Sequence, residues 1–299
     1  MSKAIIFGAG GQTGYYLSRL LSDRGVHVVK TSLHGSDVPV DVACFSAVEN
    51  LIGRCQPDML FHLASKSTTQ HDAVFDNHAA ITTGTLNILE AARRHAPQAR
   101  IFITGSGLQF ANTGEPIAEE APFAASSPYA VARISATYAA RYYRRRGLAV
   151  YVGYLFHHES PHRPPQYVSQ QVAQAARAIA AGREHRLDIG DLTVRREWTF
   201  AGDVAEAIAI LTQQDRLMEA VIGSGQGYTI EQWVEACFSS AKLEWKRYVH
   251  IIPGFQPDYQ QLVSNPHRIF SLGWKPVMPL GELARLMVAG EIPFRRAGG

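Results

Sequence analysis

A glycine-rich loop near the amino terminus constrains the fold of this 299-residue chain more than any other feature. It runs from Gly8 to Gly14, with glycines at 8, 11 and 14, between the apolar run Ala4–Phe7 and the helical pattern of Tyr15–Arg24. Glycines at this spacing allow a tight turn, close approach of backbone to a pyrophosphate, and close packing of helix on strand. The start of the helix adds free N–H groups and a positive dipole. The segment predicts dinucleotide binding, with a glycine turn that binds nothing as the alternative.

Apolar runs and helical segments alternate through the rest of the first half. The predicted strands are His27–Thr31, Asp58–Leu63, Arg100–Thr104 and Leu148–Leu155, and the predicted helices are Asp72–His95 and Pro128–Arg146. Such alternation indicates a parallel sheet with helices on both faces and right-handed crossovers. From His157 onward irregular segments lengthen, although Val204–Thr212 and Ile230–Ala241 keep helical periodicity. We predict an α/β fold: a Rossmann-type doubly wound parallel sheet with a smaller, interleaved C-terminal substrate domain.

This plan gives two predicted domains. The dinucleotide-binding domain covers 1–155, with 191–225 returning to it, and the substrate domain covers 156–190 and 226–299. Apolar residues make up 46% and charged residues 18% of the chain, as in ordinary soluble proteins. No apolar run approaches the roughly 18–20 residues that span a bilayer. Met1–Lys3 lead straight into a strand rather than a signal peptide. We therefore expect a cytoplasmic protein with no membrane partner.

Charge and cysteine content argue against two further classes of protein. The net charge is only +3, and the basic run Arg144–Arg146 directly precedes Gly147, where cations suit the end of a helix. This favours a solvated helix end over a nucleic-acid patch, so no nucleic-acid partner is expected. Cys44, Cys55 and Cys237 are odd in number and match no metal-ligand spacing, which indicates reduced structural thiols.

The residues after the second strand bear on which dinucleotide binds. In NAD-binding proteins this strand usually ends in an acidic residue that takes the ribose hydroxyls. Here no acid follows the strand before Asp37, while Lys30, Ser32 and His34 can face a ribose 2′-phosphate without repulsion. The sequence therefore predicts NADP, with NAD as the alternative. Asp41, expected after a third strand, is predicted to accept the adenine amino group, and a plain turn residue is the alternative there.

Three side chains in the middle of the chain predict chemistry at a carbonyl group. Tyr129 and Arg133 are four residues apart, and therefore lie on one face of the predicted helix. A tyrosine there can deliver a proton to a carbonyl oxygen when a cation favours its ionised form. Ser106, in the Thr-Gly-Ser-Gly segment 104–107 at a strand end, is placed to hydrogen-bond the same carbonyl. Arg196 is a predicted diphosphate contact because its planar fork suits phosphate oxygens, and a structural ion pair is the alternative.

These motifs, in this order, resemble the extended short-chain dehydrogenase/reductases over essentially the whole chain. The similar segments are 8–14 (cofactor loop), 61–65 (fourth strand), 84–91 (central helix) and 126–132 (active-site helix). The later segments 156–161, 195–198 and 265–276 resemble one subgroup, which contains GDP-mannose 4,6-dehydratase and GDP-4-keto-6-deoxymannose reductase. The resemblance implies a nucleotide-diphosphate sugar as substrate, GDP-linked. It also implies a homodimer built on helices 72–95 and 128–146.

The sequence departs from the family pattern at four positions. The family helix carries Tyr-x-x-x-Lys, and Arg133 stands in place of the lysine, a bulkier and forked cation. The dehydratases carry a glutamate base at the position of Gly107, while the reductases of the subgroup show Gly-Ser-Gly as here. His157 replaces a dehydratase asparagine, and Gln256 replaces an expected arginine. The Gly107 departure points to a reductase.

We therefore expect an NADP-dependent reductase of a GDP-4-keto-6-deoxy sugar that adds hydride to C4 with Tyr129 as acid. The alternatives are GDP-mannose 4,6-dehydratase or another nucleotide-sugar epimerase or dehydratase, and a catalytically weakened NADP-binding protein. No metal is expected, because adjacent His157 and His158 point in different directions and no third ligand has suitable spacing. The predicted site residues are Ser106, Tyr129 and Arg133 (catalytic); Gly8, Gly11, Gln12, Thr13, Gly14, Ser32, His34, Asp41, Val42, Leu63, Ala64, Ser65, Tyr129 and Arg133 (cofactor); and Ser106, His157, Glu159, Val168, Arg196 and Gln256 (substrate).

Overall fold

A seven-stranded parallel sheet is the centre of the computed structural model, which describes residues 1–33 and 37–291. The strands are β1 (Lys3–Phe7), β2 (His27–Ser32), β3 (Val38–Pro39), β4 (Met59–His62), β5 (Arg100–Ser106), β6 (Ala149–Leu155), β7 (His158–Glu159), β8 (Leu187–Ile189), β9 (Arg195–Arg196), β10 (Thr199–Phe200), β11 (Glu219–Ile222), β12 (Tyr228–Thr229), β13 (Val249–Ile251) and β14 (Gln261–Leu262). The central sheet has the order β11-β6-β5-β4-β1-β2-β3, and the remaining strands form small sheets β10-β7, β12-β9-β14 and β13-β8.

Helices cover both faces of the central sheet. They are α1 (Gln12–Asp23), α2 (Phe45–Cys55), α3 (Val74–Asn77), α4 (Gly84–His95), α5 (Pro128–Arg145), α6 (Val168–Ala180), α7 (Ala201–Leu211), α8 (Ile230–Ser240), α9 (His267–Ser271) and α10 (Leu280–Ala289). Side chains alternate between two cores: Ile6 packs with Leu17 of α1, while Ile5 packs with Leu89 of α4. Strands buried on both faces read as continuous apolar runs, as the sequence does. The predicted fold class is confirmed.

The chain reverses direction across the sheet between β1 and β4, after β2 and β3 have been added on one side. Doubly wound sheets bind ligands in the crevice at the carboxyl ends of the strands at such a switch point. The glycine loop, which follows β1, therefore lies where a ligand is expected.

Several predicted elements differ in extent from the structure. Helix α1 begins at Gln12, three residues earlier than predicted, because its N-cap is Gly11 inside the loop. The segment predicted as one helix over 72–95 contains a π-helical stretch, His78–Thr83, which packs against α5. Helices α2, α6, α9 and α10 were not predicted. The domain boundaries stay a prediction.

No helix in residues 1–33 and 37–291 is long and apolar enough to cross a bilayer. The cytoplasmic location stays a prediction from the sequence.

Candidate active site

A cleft of about 1040 Å³ opens at the carboxyl ends of β1, β4, β5 and β6. The predicted residues that line it are Gly8, Gly11, Gln12, Thr13, Gly14, Leu63, Ser65, Ser106, Tyr129, Arg133, His157, Glu159, Val168, Arg196 and Gln256. Four other residues predicted to bind the cofactor are not in its lining: Ser32, Asp41, Val42 and Ala64. His34 lies outside the described residues. One cleft therefore brings the predicted catalytic trio together with the glycine loop and the predicted substrate residues.

The glycine loop is packed so closely that side chains are excluded at two positions. A Cβ on Gly8, whose φ is +88°, would lie 2.5 Å from the backbone nitrogen of Ala64. A Cβ on Gly14 would lie 2.5 Å from the Gly8 carbonyl oxygen. Helix α1 has no side-chain cap at Gly11, so its first N–H groups are left to the cleft. This backbone cradle fits the diphosphate of a dinucleotide.

The side chains of Gln12 and Thr13 are engaged by the protein itself. Gln12 Nε2 donates to the His158 carbonyl at 2.8 Å, and Ser160 Oγ donates to Gln12 Oε1 at 2.9 Å. His158 Nδ1 lies 2.8 Å from the Phe156 carbonyl and must donate to it, so Nε2 accepts from Thr13 Oγ1 at 2.8 Å. Burial lowers the pKa of His158 to about 4, which keeps it neutral. The side chains of Gln12 and Thr13 therefore connect α1 to β7 through hydrogen bonds. Their backbone N–H groups are the groups that would contact a cofactor.

Three of the residues predicted to hold the adenosine end lie after two different strands: Asp41 and Val42 follow β3, and Ala64 follows β4. Asp41 Oδ1 accepts the Ala43 N–H at 2.9 Å and so forms a local turn. Val42 is buried against Gly84, where a Cβ would meet it at 2.9 Å. Ala64 contributes its backbone to the packing of Gly8.

Tyr129 and Arg133 are held by a well-capped helix. Ser127 caps α5 by accepting the Ala130 N–H at 3.2 Å, and Pro128 occupies the first turn. Arg133 is 2% exposed, and its Nη1 donates to the Thr104 carbonyl at 2.6 Å. Its guanidinium carbon lies 5.0 Å from the centre of the Tyr129 ring. The arrangement places a fixed positive charge beside the phenol.

Ser106 ends β5 and lines the same cleft as Tyr129 and Arg133. Its Oγ accepts the Leu108 N–H at 3.2 Å, which leaves its own hydroxyl hydrogen free to donate to a ligand. Its backbone N–H donates to Gln109 Oε1 at 2.9 Å. Gln109 Nε2 in turn donates to Thr137 Oγ1 on α5 at 3.0 Å, which ties the strand end to the helix of Tyr129.

Phe156 packs its ring over Gly107. A Cβ on Gly107 would lie 2.8 Å from the ring Cζ and 2.9 Å from two further ring carbons. The space beside Gly107, where the family resemblance implies a glutamate in the dehydratases, is therefore filled here by the aromatic ring of Phe156, which follows β6. The sequence identified Gly107 but not the residue that fills the space.

The far end of the cleft contains His157 and Arg196. His157 Nε2 lies 3.0 Å from the Tyr259 hydroxyl, and burial, then the charge of Arg196, lowers the pKa of His157 well below its usual value. The Arg196 guanidinium lies 5.5 Å from the Tyr259 ring centre, and its Nε has no hydrogen-bond partner among the described residues. Arg196 is thus placed to meet an anionic ligand. Tyr259 was missed by the sequence reading, because nothing local marks it.

Glu159 belongs to an internal network. Ser169 Oγ on α6 donates to Glu159 Oε2 at 2.6 Å, and Arg163 Nε lies 3.5 Å from the same oxygen. Burial raises the pKa of Glu159. The carboxylate positions Arg163, which stacks 3.6 Å from the Tyr167 ring centre, and the start of α6 at Val168. Arg163 and Tyr167 line the cleft and were also missed.

Outside the cleft, Glu119, Glu120 and His267 bring possible metal-ligand atoms within 4.8 Å of one another. Arg268 contacts both carboxylates, with its Nε 3.6 Å from Glu119 Oε2. A cation already lies at the centre of this group, so it is an ion-pair cluster of the protein.

Comparisons with known proteins agree with this geometry. A family model described as GDP-mannose 4,6 dehydratase matches residues 38–287. The chain is 29% identical to GDP-mannose 4,6 dehydratase 2 of Arabidopsis thaliana, over 98% of this chain and 87% of that protein. It is 28% identical to GDP-mannose 4,6-dehydratase of Yersinia enterocolitica, over 98% of this chain and 94% of that protein.

Solved structures with the same fold include enzymes crystallised with a dinucleotide. UDP-glucose 4-epimerase of Thermus thermophilus in complex with NAD has a TM-score of 0.83 and 23% identity, covering 96% of this chain and 98% of that one. RMD of Pseudomonas aeruginosa complexed with NADPH has a TM-score of 0.84 and 22% identity, covering 97% of each chain.

Fold and site together define a Rossmann-type α/β protein with the fold of these dinucleotide-bound structures. The chain belongs to the GDP-mannose 4,6-dehydratase family. The predicted family, enzyme class and kind of cofactor, a nicotinamide dinucleotide, are confirmed.

Proposed function

We propose that this enzyme is an NADPH-dependent reductase that converts the 4-keto group of a GDP-4-keto-6-deoxy sugar to an alcohol. The observation that carries the proposal is Gly107 with the Phe156 ring packed on it. Dehydration of a sugar requires a base that removes a ring proton, and Gly107, the position to which the family resemblance assigns the glutamate base of the dehydratases, cannot supply one. Ketone reduction needs only a hydride and one proton, which the remaining groups can provide.

Three residues of the site have separate roles in this reduction. A bound NADPH supplies the hydride that is added to C4. Tyr129 donates its phenolic proton to the alkoxide that develops on the former carbonyl oxygen. Ser106 donates a hydrogen bond to the same oxygen, and a preorganised donor of this kind stabilises the developing charge. Arg133, whose guanidinium carbon lies 5.0 Å from the centre of the Tyr129 ring, provides a positive charge beside the phenol that loses its proton.

The substrate is assigned to the GDP-linked class on family membership and on the names of the relatives. Arg196 suits its diphosphate, because a guanidinium fork matches phosphate oxygens. His157 and Val168, at the start of α6, line the same cleft as Arg196. Gln256 replaces an arginine cation there, so this chain binds the diphosphate with fewer charges than the family pattern implies.

Two other functions remain as outcomes of the test. The dehydratase function is favoured by the names of the curated relatives. Glu159, a buried carboxyl group in the cleft lining, is already bound to Ser169 and Arg163 and is therefore not free to act as the base. A weakened NADP-binding protein is favoured by Arg133 in place of lysine.

The test supplies purified enzyme with NADPH and a GDP-4-keto-6-deoxy sugar, and separately with GDP-mannose alone. We expect NADPH oxidation in the first mixture and no reaction in the second. Tyr129→Phe should lower turnover about a hundred- to ten-thousandfold while NADPH still binds, and Ser106→Ala somewhat less. Release of a 4-keto-6-deoxy product from GDP-mannose without net use of NADPH would identify a dehydratase. Tight NADPH binding without turnover on any 4-keto sugar, and no gain from Arg133→Lys, would identify the weakened protein.

We also propose that the enzyme is a homodimer that pairs helices α3 to α5. Large apolar side chains stand exposed along this face: Phe75 (83%), Leu86 (44%), Val131 (51%), Tyr138 (58%) and Tyr142 (54%). An exposed apolar patch of this kind marks an interaction surface. Light scattering should give a dimer at micromolar concentration and a monomer for Tyr138→Glu. A wild-type monomer would contradict the proposal.

A further inference from the structure

One hydrogen bond joins two segments of the cleft lining that are far apart in the sequence. The Tyr167 hydroxyl donates to the Ser67 carbonyl oxygen at 2.6 Å, across 100 positions of sequence. Ser67 belongs to the segment that follows β4, and Tyr167 directly precedes α6. Among the described residues, this is the only hydrogen bond between segments 65–70 and 160–168, both of which contribute to the lining of the cleft.

Each of the two segments is held in place by contacts of its own. Asn77, which is buried, donates from its side-chain Nδ2 to the Thr68 carbonyl at 3.0 Å. In the other segment, the Arg163 guanidinium carbon lies 3.6 Å from the centre of the Tyr167 ring, and the Arg163 backbone N–H donates to the Ser160 carbonyl at 2.9 Å. Loss of the Tyr167 hydroxyl would therefore leave both segments in place and break the connection between them.

The connection lies beside the proposed acid of the reaction. Tyr129 is buried, with 8% of its surface exposed, whereas Ser67 is exposed. Burial raises the pKa of Tyr167, and the neighbouring Tyr129 adds to this rise. The Tyr167 side chain is thus a neighbour of the buried Tyr129 and reaches the exposed Ser67. A sugar that brings its carbonyl within hydrogen-bond distance of Tyr129 must therefore come to rest next to Tyr167.

We propose that the Tyr167–Ser67 hydrogen bond is a strap over the part of the cleft that holds the sugar. The strap opens to admit the sugar to Tyr129 and closes again behind it. The inference rests on the proposed function, because it needs a nucleotide sugar whose carbonyl reaches Tyr129. Closure of this kind keeps water from the reacting carbonyl, and the opening of such lids limits turnover in many enzymes. A nucleoside diphosphate without a sugar does not extend to Tyr129, so the strap should not affect its binding.

The binding kinetics of GDP-mannose and of GDP to the NADPH-loaded enzyme, measured by surface plasmon resonance, test the strap. Tyr167→Phe removes the hydrogen-bond donor and keeps the aromatic ring on Arg163. We expect it to raise the association and dissociation rate constants of GDP-mannose about fivefold each, the factor for the net loss of one hydrogen bond, and to leave the affinity within about twofold. Both rate constants of GDP should be unchanged, which also shows that the variant is folded. Tyr248→Phe, which removes a phenol hydroxyl outside the cleft lining, should change the binding of neither ligand.

Two results would overturn the strap while the proposed function stands. One is a Tyr167→Phe variant whose rate constants for GDP-mannose equal those of the wild type. The other is a variant in which the rate constants of GDP and GDP-mannose change together, or which binds neither ligand, because Tyr167 would then be a structural residue only. A wild type that binds neither ligand would overturn the proposed function, and the strap with it.

Discussion

Replacing Gly107 by alanine should destabilise the enzyme through Phe156. The added Cβ would lie 2.8–2.9 Å from three ring carbons, whereas carbon atoms pack at about 3.5–4.0 Å. The ring must therefore retreat by about 0.6–1.2 Å, and it is 3% exposed, so its neighbours must move as well. Overpacking of this size costs about 1–3 kcal/mol. We expect the free energy of unfolding of Gly107→Ala to fall by that amount.

Urea unfolding of a double-mutant cycle tests the cause. Phe156→Leu removes the ring, so Gly107→Ala should cost little in that background, with a coupling energy of about 1 kcal/mol or more. Gly281→Ala is the matched control, since nothing lies within 4 Å of its added Cβ on helix α10, and we expect it to be neutral or stabilising. An alanine at 107 that costs less than about 0.5 kcal/mol, or the same in both backgrounds, would refute the account of Phe156 as the occupant of the base position.

Three further predictions concern stability and charge. Glu197→Gln should lower the free energy of unfolding by about 2–4 kcal/mol, because the buried carboxylate accepts both the N–H and the hydroxyl of Ser264. An unchanged midpoint of urea unfolding would contradict this prediction. Burial lowers the pKa of His62 to about 3 and of His158 to about 4. Below about pH 6.5 the unfolded chain therefore binds more protons than the folded chain does. The free energy of unfolding should fall from pH 6.5 toward pH 4 by up to about 1.4 kcal/mol per pH unit for each histidine. Urea denaturation at pH 7, 6 and 5 measures this fall. Arg133→Met should reduce turnover at least about tenfold more than Arg133→Lys, because only lysine keeps the charge beside the tyrosine, and equal losses would argue against a charge effect.

Local patterns in the sequence predicted the parts of the fold that depend on near neighbours. The glycine spacing, the alternation of strands and helices, and the four-residue spacing of Tyr129 and Arg133 all act over a few residues, and each appears in the structure as predicted. The π-helical stretch over 78–83 was missed because it follows from packing against α5 rather than from its own composition.

The contacts that give the site its character join residues far apart in sequence. Phe156, in the segment that follows β6, covers Gly107, and the His157–Tyr259 hydrogen bond joins residues 102 positions apart. No periodicity signals such pairs. The hydrogen bonds of the Gln12 side chain to His158 and Ser160 likewise depend on how α1 packs against β7. The sequence therefore predicted that Gln12 lies near the cofactor, but not that its side chain is already hydrogen-bonded within the protein.

Transfer of a labelled hydride tests the central claim most directly. The enzyme is given NADPH carrying deuterium at the transferable position, together with a GDP-4-keto-6-deoxy sugar, and the product is examined by mass spectrometry and proton NMR. A reductase predicts one deuterium at C4 of the product for each NADPH oxidised, and about a hundredfold or greater loss of labelled product in Tyr129→Phe. Keto sugar that stays unreduced with the deuterium retained on the cofactor, or an alcohol product without deuterium at C4, would contradict the account.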